Sequence, residues 1–171
     1  MPPAGEIGIR PAMAADAPVV AMIWHRGWRD GHEGHVSEEL VSARSEASFQ
    51  LRASQRVGDT TVASIDGAVA GFIMVVGDEV EQVYVERAQR GTGVAAALLV
   101  RAEEIVAANG HDCAWLAVVA DNARARRFYE RNGWIDRGLI DYPAATDSDP
   151  VVIPVHRYEK RVTRSAGDIG R

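Results

Sequence analysis

Residues 83–99 read VYVERAQRGTGVAAALL and join a strand-like run to an amphipathic helix through a turn with two glycines. Apolar residues recur at helical spacing over residues 94–108, which predicts a helix with one apolar face. Glycines let backbone N–H groups approach an anion closely, and a helix N-terminus adds partial positive charge. Arg90 supplies a fork of hydrogen-bond donors beside the turn. The stretch therefore predicts an anion site.

Two other phosphate-binding turns do not fit this stretch. A Walker A loop ends in Gly-Lys-Ser/Thr, whereas Val94 follows Gly93 here. A dinucleotide fingerprint needs a third glycine where this chain has Ala96, and it follows the first strand of its domain. A helix start that merely uses flexible residues is the simpler interpretation of an isolated G-x-G pattern. The choice between these interpretations depends on the rest of the chain.

The N-terminal part predicts a strand followed by helices. Residues 7–10 are predicted as a short strand, and Asp16 is predicted to cap a helix whose apolar spacing continues to Trp28. The glycine-rich, charged residues 27–34 are predicted as a loop. Residues 37–43 are predicted as a second, short helix that begins near Ser37.

The middle of the chain predicts an antiparallel meander, and the remainder predicts a crossover. Asp66-Gly67 and Gly77-Asp78 are the turns between strands predicted at residues 60–65, 68–76 and 80–85. After the helix at 94–108, a buried strand is predicted at residues 113–119 and a helix at 123–131, capped by Asp121 or Asn122. Two closing strands are predicted at residues 134–140 and 151–161, and an acidic loop at 141–149 joins them. The fold class is α+β with one right-handed βαβ unit.

Composition limits the kind of protein. The chain has 171 residues, 47% of them hydrophobic and 25% charged, which is ordinary for one globular domain, predicted over residues 1–162 with a frayed tail at 163–171. A net charge of −5 argues against a nucleic-acid partner. No leader sequence or membrane-spanning stretch is recognisable, and this predicts a cytoplasmic protein with no membrane partner.

Two blocks of sequence resemble the GNAT superfamily of N-acetyltransferases. Arg90-x-x-Gly93-x-Ala95 matches the family's acyl-CoA-binding pattern, Arg/Gln-x-x-Gly-x-Gly/Ala. The later block LAVVADNARARRFYERNGW resembles the family's following strand and helix, with matches at Asn122, Ala125, Phe128, Tyr129 and Gly133. Family members often carry a proline where this chain has Arg87. The resemblance implies a mostly antiparallel sheet of about six or seven strands, splayed between the fourth and fifth, with about four helices.

The resemblance also implies a site for acetyl-CoA as co-substrate. The backbone of the fourth strand would bind the pantetheine arm, and the glycine turn would bind the pyrophosphate beside Arg90. In the family, the asparagine at Asn122 bonds the pantetheine arm, and the tyrosine at Tyr129 points its hydroxyl at the thioester sulfur as a general acid. The implied cofactor-binding residues are Val83, Tyr84, Val85, Arg90, Gly91, Thr92, Gly93, Val94, Ala95, Asn122 and Tyr129.

The general base and the acceptor are less well defined. Relatives often use a carboxylate of the fourth strand, which leaves Glu79 and Glu81 as candidates, with a slight preference for Glu81. Substrate contacts are expected from the first helix and its following loop, namely Trp28, Asp30, His32 and Glu33. Carboxylates there and in the acidic loop predict a cationic acceptor. His32 and His35 lack a third ligand, so no metal is predicted.

The resemblance favours direct acetyl transfer from acetyl-CoA to a primary amine of a small molecule, a peptide N-terminus or a lysine, by a monomer or homodimer. The alternative is a non-catalytic acyl-CoA-binding or sensing module on the same fold. Binding alone does not need the phenol of Tyr129, so its presence favours the enzyme.

Overall fold

A computed structural model describes residues 5–32, 34–146 and 148–163, and its centre is one seven-stranded sheet in the order β1-β2-β3-β4-β5-β7-β6. The strands are β1 (Ile7–Pro11), β2 (Thr60–Ile65), β3 (Ala68–Val76), β4 (Glu79–Val85), β5 (Cys113–Val119), β6 (Ile135–Ala144) and β7 (Val151–Arg161). Neighbouring strands are antiparallel except for the β4–β5 pair, which is parallel. The α+β class with one crossover is therefore confirmed, and residues 164–171 of the predicted tail lie outside the described residues.

Helices cover both faces of this sheet. They are α1 (Ala17–His32), α2 (Glu38–Ala43), α3 (Glu46–Gln55), α4 (Val94–Ala108) and α5 (Ala123–Arg131). Trp24 of α1 packs edge-on against Phe49 of α3 and Phe72 of β3, with centroid distances of 5.4 and 5.9 Å, in the core beneath α1–α3. The second core lies under α4 and α5 and includes Leu98 and Tyr129. Among the described helices, none is long and apolar enough to cross a membrane.

Strands β4 and β5 separate almost as soon as they meet. Their pairing register contains the single pair Glu79 and Trp115, whereas β3 follows β4 along its whole length. The β3–β4 register also shifts, because Val80 pairs with Val75 and Gln82 with Met74, which leaves Glu81 as the extra residue of a bulge. The expected splay is therefore present, and it opens a cleft in the middle of the sheet.

The predicted loop at residues 27–34 is wrong for residues 27–32, because α1 continues to His32. Gly27 and Gly31 serve close packing rather than a turn, whereas Gly34 lies in the turn that follows the helix. A Cβ on Gly27 would lie 2.3 Å from Cδ1 of the Tyr84 ring, and one on Gly31 would lie 3.1 Å from Nδ2 of Asn122. The two glycines stand one helical turn apart, so together they let α1 approach β4 and the start of α5.

Three other differences from the predictions concern element boundaries. Helix α3 was not predicted, so the described chain has five α-helices rather than about four. Strand β6 continues to Ala144 and takes in the first part of the predicted acidic loop. Asp16 does not cap α1 but ends a 3₁₀ turn that precedes it, because its carboxylate accepts a hydrogen bond from Met13 N–H at 2.7 Å and two from Arg10 at 2.7 and 2.9 Å.

We expect Asp16→Asn to destabilise the protein by about 1–2 kcal/mol at pH 7. This is less than a fully buried charge-assisted hydrogen bond contributes, because Arg10 faces solvent and water screens its charge. The hydrogen bonds from Arg10 lower the pKa of the Asp16 carboxyl. The stabilisation is therefore present above about pH 4 and is lost as the pH falls through the folded-state pKa. Denaturant unfolding at pH 7 and pH 2 tests this, with the exposed Asp141→Asn as control; an equal loss at both pH values would contradict it.

Candidate active site

A cavity of about 640 Å³ occupies the cleft between β4 and β5. Most of the predicted site residues line it, namely Trp28, His32, Glu79, Glu81, Val83, Tyr84, Val85, Arg90, Gly91, Gly93, Ala95, Asn122 and Tyr129. The side chains of three others are elsewhere: Asp30 and Thr92 lie outside the lining, and Val94 is fully buried in the core under α4. Glu33 lies outside the described residues.

The glycine turn presents free amides at the start of α4. Gly91 and Gly93 have φ values of 79° and 89°, a left-handed conformation that glycine adopts without a steric penalty. The first hydrogen bond of the helix runs from Ala97 N–H to the Gly93 carbonyl at 3.0 Å, so the amides of residues 94–96 have no partner inside the helix. The amide and hydroxyl of Thr92 both donate to the Gln89 carbonyl, at 3.4 and 2.5 Å. The turn can therefore hold an anion through the remaining amides.

Positive side chains gather around this turn. Arg90 lines the cavity and donates to Asp30 of α1 at 3.0 Å. Arg124, the second residue of α5, lines the same cavity, and burial together with the charges of Arg90 and Arg87 lowers the pKa of its guanidinium. Sequence reasoning missed Arg124, although its position two residues after Asn122 within the matched block was a usable signal. The cluster complements a phosphate group.

The edge of β4 that faces the cleft carries unpaired backbone groups. Glu86 N–H donates to the Ala70 carbonyl at 2.7 Å, and antiparallel hydrogen bonding alternates by residue. With Val85 opposite Gly71, the backbone groups of Tyr84 therefore face β3, and those of Val83 and Val85 face the cleft. Beyond Glu79 no described strand pairs with this edge. Of the three residues predicted to bind the pantetheine arm through their backbone, Val83 and Val85 present these groups to the cleft and Tyr84 does not.

Asn122 and Tyr129 both reach the cavity from α5. Asn122 caps the helix, since its Oδ1 accepts from Ala125 N–H at 3.2 Å, and this leaves its Nδ2 donor group on the side of Gly31. The Tyr129 ring packs edge-on against Phe128 and Trp134 at 5.3 and 6.3 Å, and burial raises the pKa of its hydroxyl. Within the described part of the chain, that hydroxyl has no hydrogen-bond partner. Tyr129 is therefore a fixed, protonated donor at the cavity wall.

The two carboxylates of β4 differ in their partners. Glu79 accepts a hydrogen bond from the Tyr142 hydroxyl at 2.8 Å, and burial, reinforced by repulsion from Glu81 and Asp78, raises the pKa of Glu79. Glu81, the bulge residue, forms an ion pair with Arg56. A carboxylate with a raised pKa is the better proton acceptor near neutral pH, whereas an ion pair holds a carboxylate in its charged form.

The remaining walls of the cavity come from α1, α2, α3 and β6. Trp28 stacks on His32 with a centroid distance of 4.9 Å and an interplanar angle of 7°. The Nδ1 of His32 donates to the Trp28 carbonyl at 3.0 Å, and burial lowers the pKa of His32 to about 4, so the ring is neutral at pH 7. Among the described residues, no cluster of three His, Cys, Asp or Glu side chains could hold a metal ion.

Three arginines that the sequence analysis did not select line this part of the cavity: Arg44, Arg52 and Arg56. Arg44 and Arg56 follow the last residues of α2 and α3, and Arg52 lies within α3. Helix α3 was recognisable from Ser45, which caps it by accepting from Ser48 N–H at 3.2 Å, and from the buried residues Phe49 and Ala53 four positions apart. Recognition of α3 would have brought its arginines to attention.

The described carboxylates that were predicted to face a cationic acceptor do not line the cavity. Asp30 is paired with Arg90, outside the lining of the cavity. Asp141 and Asp149 are exposed and also lie outside the lining, while Glu33 and Asp147 lie outside the described residues. Among the described residues, the carboxylates that line the cavity are Glu79 and Glu81. The cationic acceptor stays a prediction, without support from Asp30, Asp141 and Asp149.

The sequence profile of the acetyltransferase (GNAT) family matches residues 21–134, which is more than half of the chain. An uncharacterized N-acetyltransferase of Mycobacterium bovis is 36% identical over 105 residues, which are 58% of this chain and 67% of the relative. This chain therefore belongs to the GNAT acetyltransferase family.

Solved structures agree on the fold. A GCN5-related N-acetyltransferase from Rhodopseudomonas palustris superimposes with a TM-score of 0.71 at 22% identity, covering 93% of this chain and 98% of the other. The PaiA N-acetyltransferase from Thermoplasma acidophilum, solved in complex with coenzyme A, gives a TM-score of 0.63 at 22% identity over 91% of this chain and 99% of the other. The overall fold is thus shared with these proteins.

Proposed function

We propose that the protein transfers an acetyl group from acetyl-CoA directly to a primary amine. The observation that carries this proposal is one cavity that joins the free amides of the glycine turn, the open edge of β4 and the hydroxyl of Tyr129. Each of the three fits one part of an acyl-CoA: the pyrophosphate, the pantetheine arm and the thioester sulfur. The coenzyme A complex of the Thermoplasma relative supports the same co-substrate.

The cofactor end of the cavity would bind acetyl-CoA through this chain's backbone and cations. The amides near Gly91 and Gly93 and the guanidinium groups of Arg90 and Arg124 hold the pyrophosphate. The cleft-facing groups of Val83 and Val85 pair with the amides of the pantetheine arm, as a neighbouring strand would. This mode of binding brings the thioester to the bottom of the cleft, where the acceptor can reach it.

Side chains of β4 and α5 would then manage the protons. The amine nitrogen forms a bond to the acetyl carbon, and the carbon–sulfur bond breaks. Tyr129 donates a hydrogen bond, and then its proton, to the leaving sulfur, while Glu79 accepts the proton that the amine releases, directly or through one water. Proton exchange with solvent restores both groups. The products are an N-acetylated amine and free coenzyme A.

Glu79 is our choice of base, although the sequence slightly favoured Glu81. The raised pKa of Glu79 and its single neutral donor, Tyr142, support a group that can take up a proton. The ion pair of Glu81 with Arg56 supports a structural role for Glu81 beside the acceptor. Both assignments are proposals that separate substitutions can distinguish.

A turnover screen tests the proposed function. Purified protein is incubated with acetyl-CoA and a panel of amines, and released thiol is measured together with the acetylated product. We expect acceptor-dependent thiol release. Binding of acetyl-CoA without transfer to any amine would favour the sensing module, and absence of any coenzyme A binding would contradict both functions.

We expect Arg124→Gln to weaken acetyl-CoA binding about 3- to 10-fold, because one charge-assisted contact to phosphate is lost. Asp30→Asn should change affinity in the opposite direction, since Asp30 competes with the phosphate for Arg90. Titration calorimetry at low and moderate salt measures both effects. Arg127→Gln removes the same charge from an exposed position of α5 outside the cavity and serves as the matched control. Equal affinities of the Arg124 and Arg127 variants would contradict the assignment.

A further inference from the structure

Three arginines, Arg44, Arg52 and Arg56, line the acceptor part of the cavity. Arg44 is 9% exposed, and burial, together with the charges of Arg44 and Arg56, lowers the pKa of Arg52 to about 10. The charged residues that shift the pKa of Arg52 are different from Arg87, Arg90 and Asp30, which shift the pKa of Arg124 beside the glycine turn. The cavity therefore holds two separate cationic clusters, only one of which the proposed binding of acetyl-CoA uses.

Arg56 is the member of the cluster that described carboxylates neutralise. Glu81 and Asp59 both form ion pairs with it, and Asp59 lies outside the cavity. Glu79 receives its hydrogen bond from Tyr142 instead. None of these three carboxylates forms an ion pair with Arg52.

Arg52 is the member of the cluster with donors to spare. It makes no hydrogen bond or ion pair with any residue in the described ranges, and its guanidinium lies over the Trp24 ring at 4.8 Å from the centroid. Stacking fixes the plane of a guanidinium and leaves its edge donors available. A half-buried cation without an anionic partner costs free energy, and a bound anion removes that cost.

The position of the cluster relates it to the reacting centre. Arg52 and Arg44 both lie close enough to Tyr84 to act on its hydroxyl electrostatically. Tyr84 is the β4 residue between Val83 and Val85, the two valines that would bind the pantetheine arm. Arg52 therefore lines the same cavity as the two valines and Tyr129, so that one acceptor in this cavity can meet both Arg52 and the thioester.

We infer that the acceptor is a small primary amine that also carries a carboxylate, and that Arg52, assisted by the charge of Arg44, binds this carboxylate while the amine faces the thioester. The inference rests on the proposed acetyl transfer and names its substrate class. A carboxylate matches the planar donors of a guanidinium. A carboxylate carries one negative charge, which matches the single guanidinium group of Arg52 that has no ion pair in the described ranges.

Matched acceptor pairs test the inference. Amino acids with different spacers between amine and carboxylate are compared with their carboxamides and with amino phosphates of similar length. We expect the wild type to prefer the carboxylate form about 10- to 100-fold in kcat/KM, the usual range for a charged hydrogen bond. A preference for amides, polyamines or phosphates, or acetylation restricted to lysines within proteins, would overturn it.

Substitution of Arg52 tests whether this residue causes the preference for the carboxylate form of the acceptor. Arg52→Gln should raise KM for the carboxylate acceptor much more than KM for its amide, so that the preference for the carboxylate disappears, and KM for acetyl-CoA reports on the cofactor end of the cavity. Arg52→Lys keeps the charge and should retain part of the preference, which separates recognition from a folding defect. Arg127→Gln is the control at an exposed site outside the cavity. Loss of activity toward both acceptor forms in Arg52→Gln would contradict the assignment.

A binding measurement separates this inference from the proposed function. Thermal shifts with the amino acid and with its amide, in the presence of coenzyme A, need no turnover. If acetyl transfer fails but the wild type and not Arg52→Gln is stabilised by the amino acid, the anion site stands and the proposed reaction falls. If transfer occurs with no difference between carboxylate and amide, the reaction stands and the anion site falls. Absence of both effects overturns both.

Discussion

Tyr129→Phe is expected to reduce kcat for acetyl transfer by about 10²–10⁴-fold, the usual contribution of a general acid, while acetyl-CoA still binds. The reason is that Tyr129 lines the cavity and its hydroxyl has no hydrogen-bond partner in the described part of the chain. Burial raises the pKa of this phenol, so it keeps its proton through the working pH range. Phenylalanine retains the ring contacts with Phe128 and Trp134 and removes only the donor.

Tyr158→Phe is a matched control for this substitution. Tyr158 is also fully buried and packs against Tyr129 at 6.1 Å, but its hydroxyl donates to Glu130 at 2.8 Å and accepts from Arg126 at 3.2 Å, outside the cavity. We expect its loss to lower thermal stability and leave kcat near the wild-type value. Single-turnover rates of both variants decide the matter, and full activity of Tyr129→Phe under chemistry-limited conditions would disprove the general-acid role.

Glu79→Gln is expected to lower kcat/KM by about 10²–10⁴-fold and to remove the acid limb of the pH–rate profile. A base works only in its deprotonated form, so the wild-type rate should fall as the pH falls through the pKa of Glu79, which burial raises above its usual range. Because burial disfavours the charged form of Glu79 in the folded protein, glutamine at this position should not reduce stability at neutral pH. The pH dependence of kcat/KM for both proteins checks the prediction.

Glu81→Gln provides the comparison. It removes the partner of Arg56, so we expect a change in KM for the acceptor and an acid limb that persists. If the limb instead disappears in Glu81→Gln and persists in Glu79→Gln, the base is Glu81, as the sequence alone slightly favoured. The two variants differ by two positions on one strand and remove the same charge, so general electrostatic effects are shared between them.

The sequence predicted all seven strands and the turn at the start of α4, but not α3. Period-2 and period-3.6 apolar patterns are local, and they placed β2, β3, β5, α4 and α5 within a residue or two of their observed bounds. The turn around Gly91 and Gly93 is equally local, because its conformation depends on residues only a few positions apart. The composition of residues 27–34 misled for the same reason, since glycine reads as a loop unless the neighbour that needs the space, Tyr84, is known.

The charged side chains that line the cavity beside β4 are brought together only by the tertiary structure. From the sequence, Asp30 belonged to an acidic surface, but the fold brings it to Arg90, 60 positions away, and the fold likewise brings Arg56 to Glu81, 25 positions away. The bulge between β3 and β4 determines the face of β4 on which Glu79 and Glu81 lie. The residues of β4 alone do not reveal this bulge, because it depends on the pairing with β3. Local patterns report which face of an element is buried, whereas the sign of a pocket depends on which distant side chains share it. The sequence therefore predicted the GNAT fold and the glycine turn at the start of α4, whereas only the tertiary structure brought Arg44, Arg52 and Arg56 into the cavity beside Glu79 and Glu81 of β4.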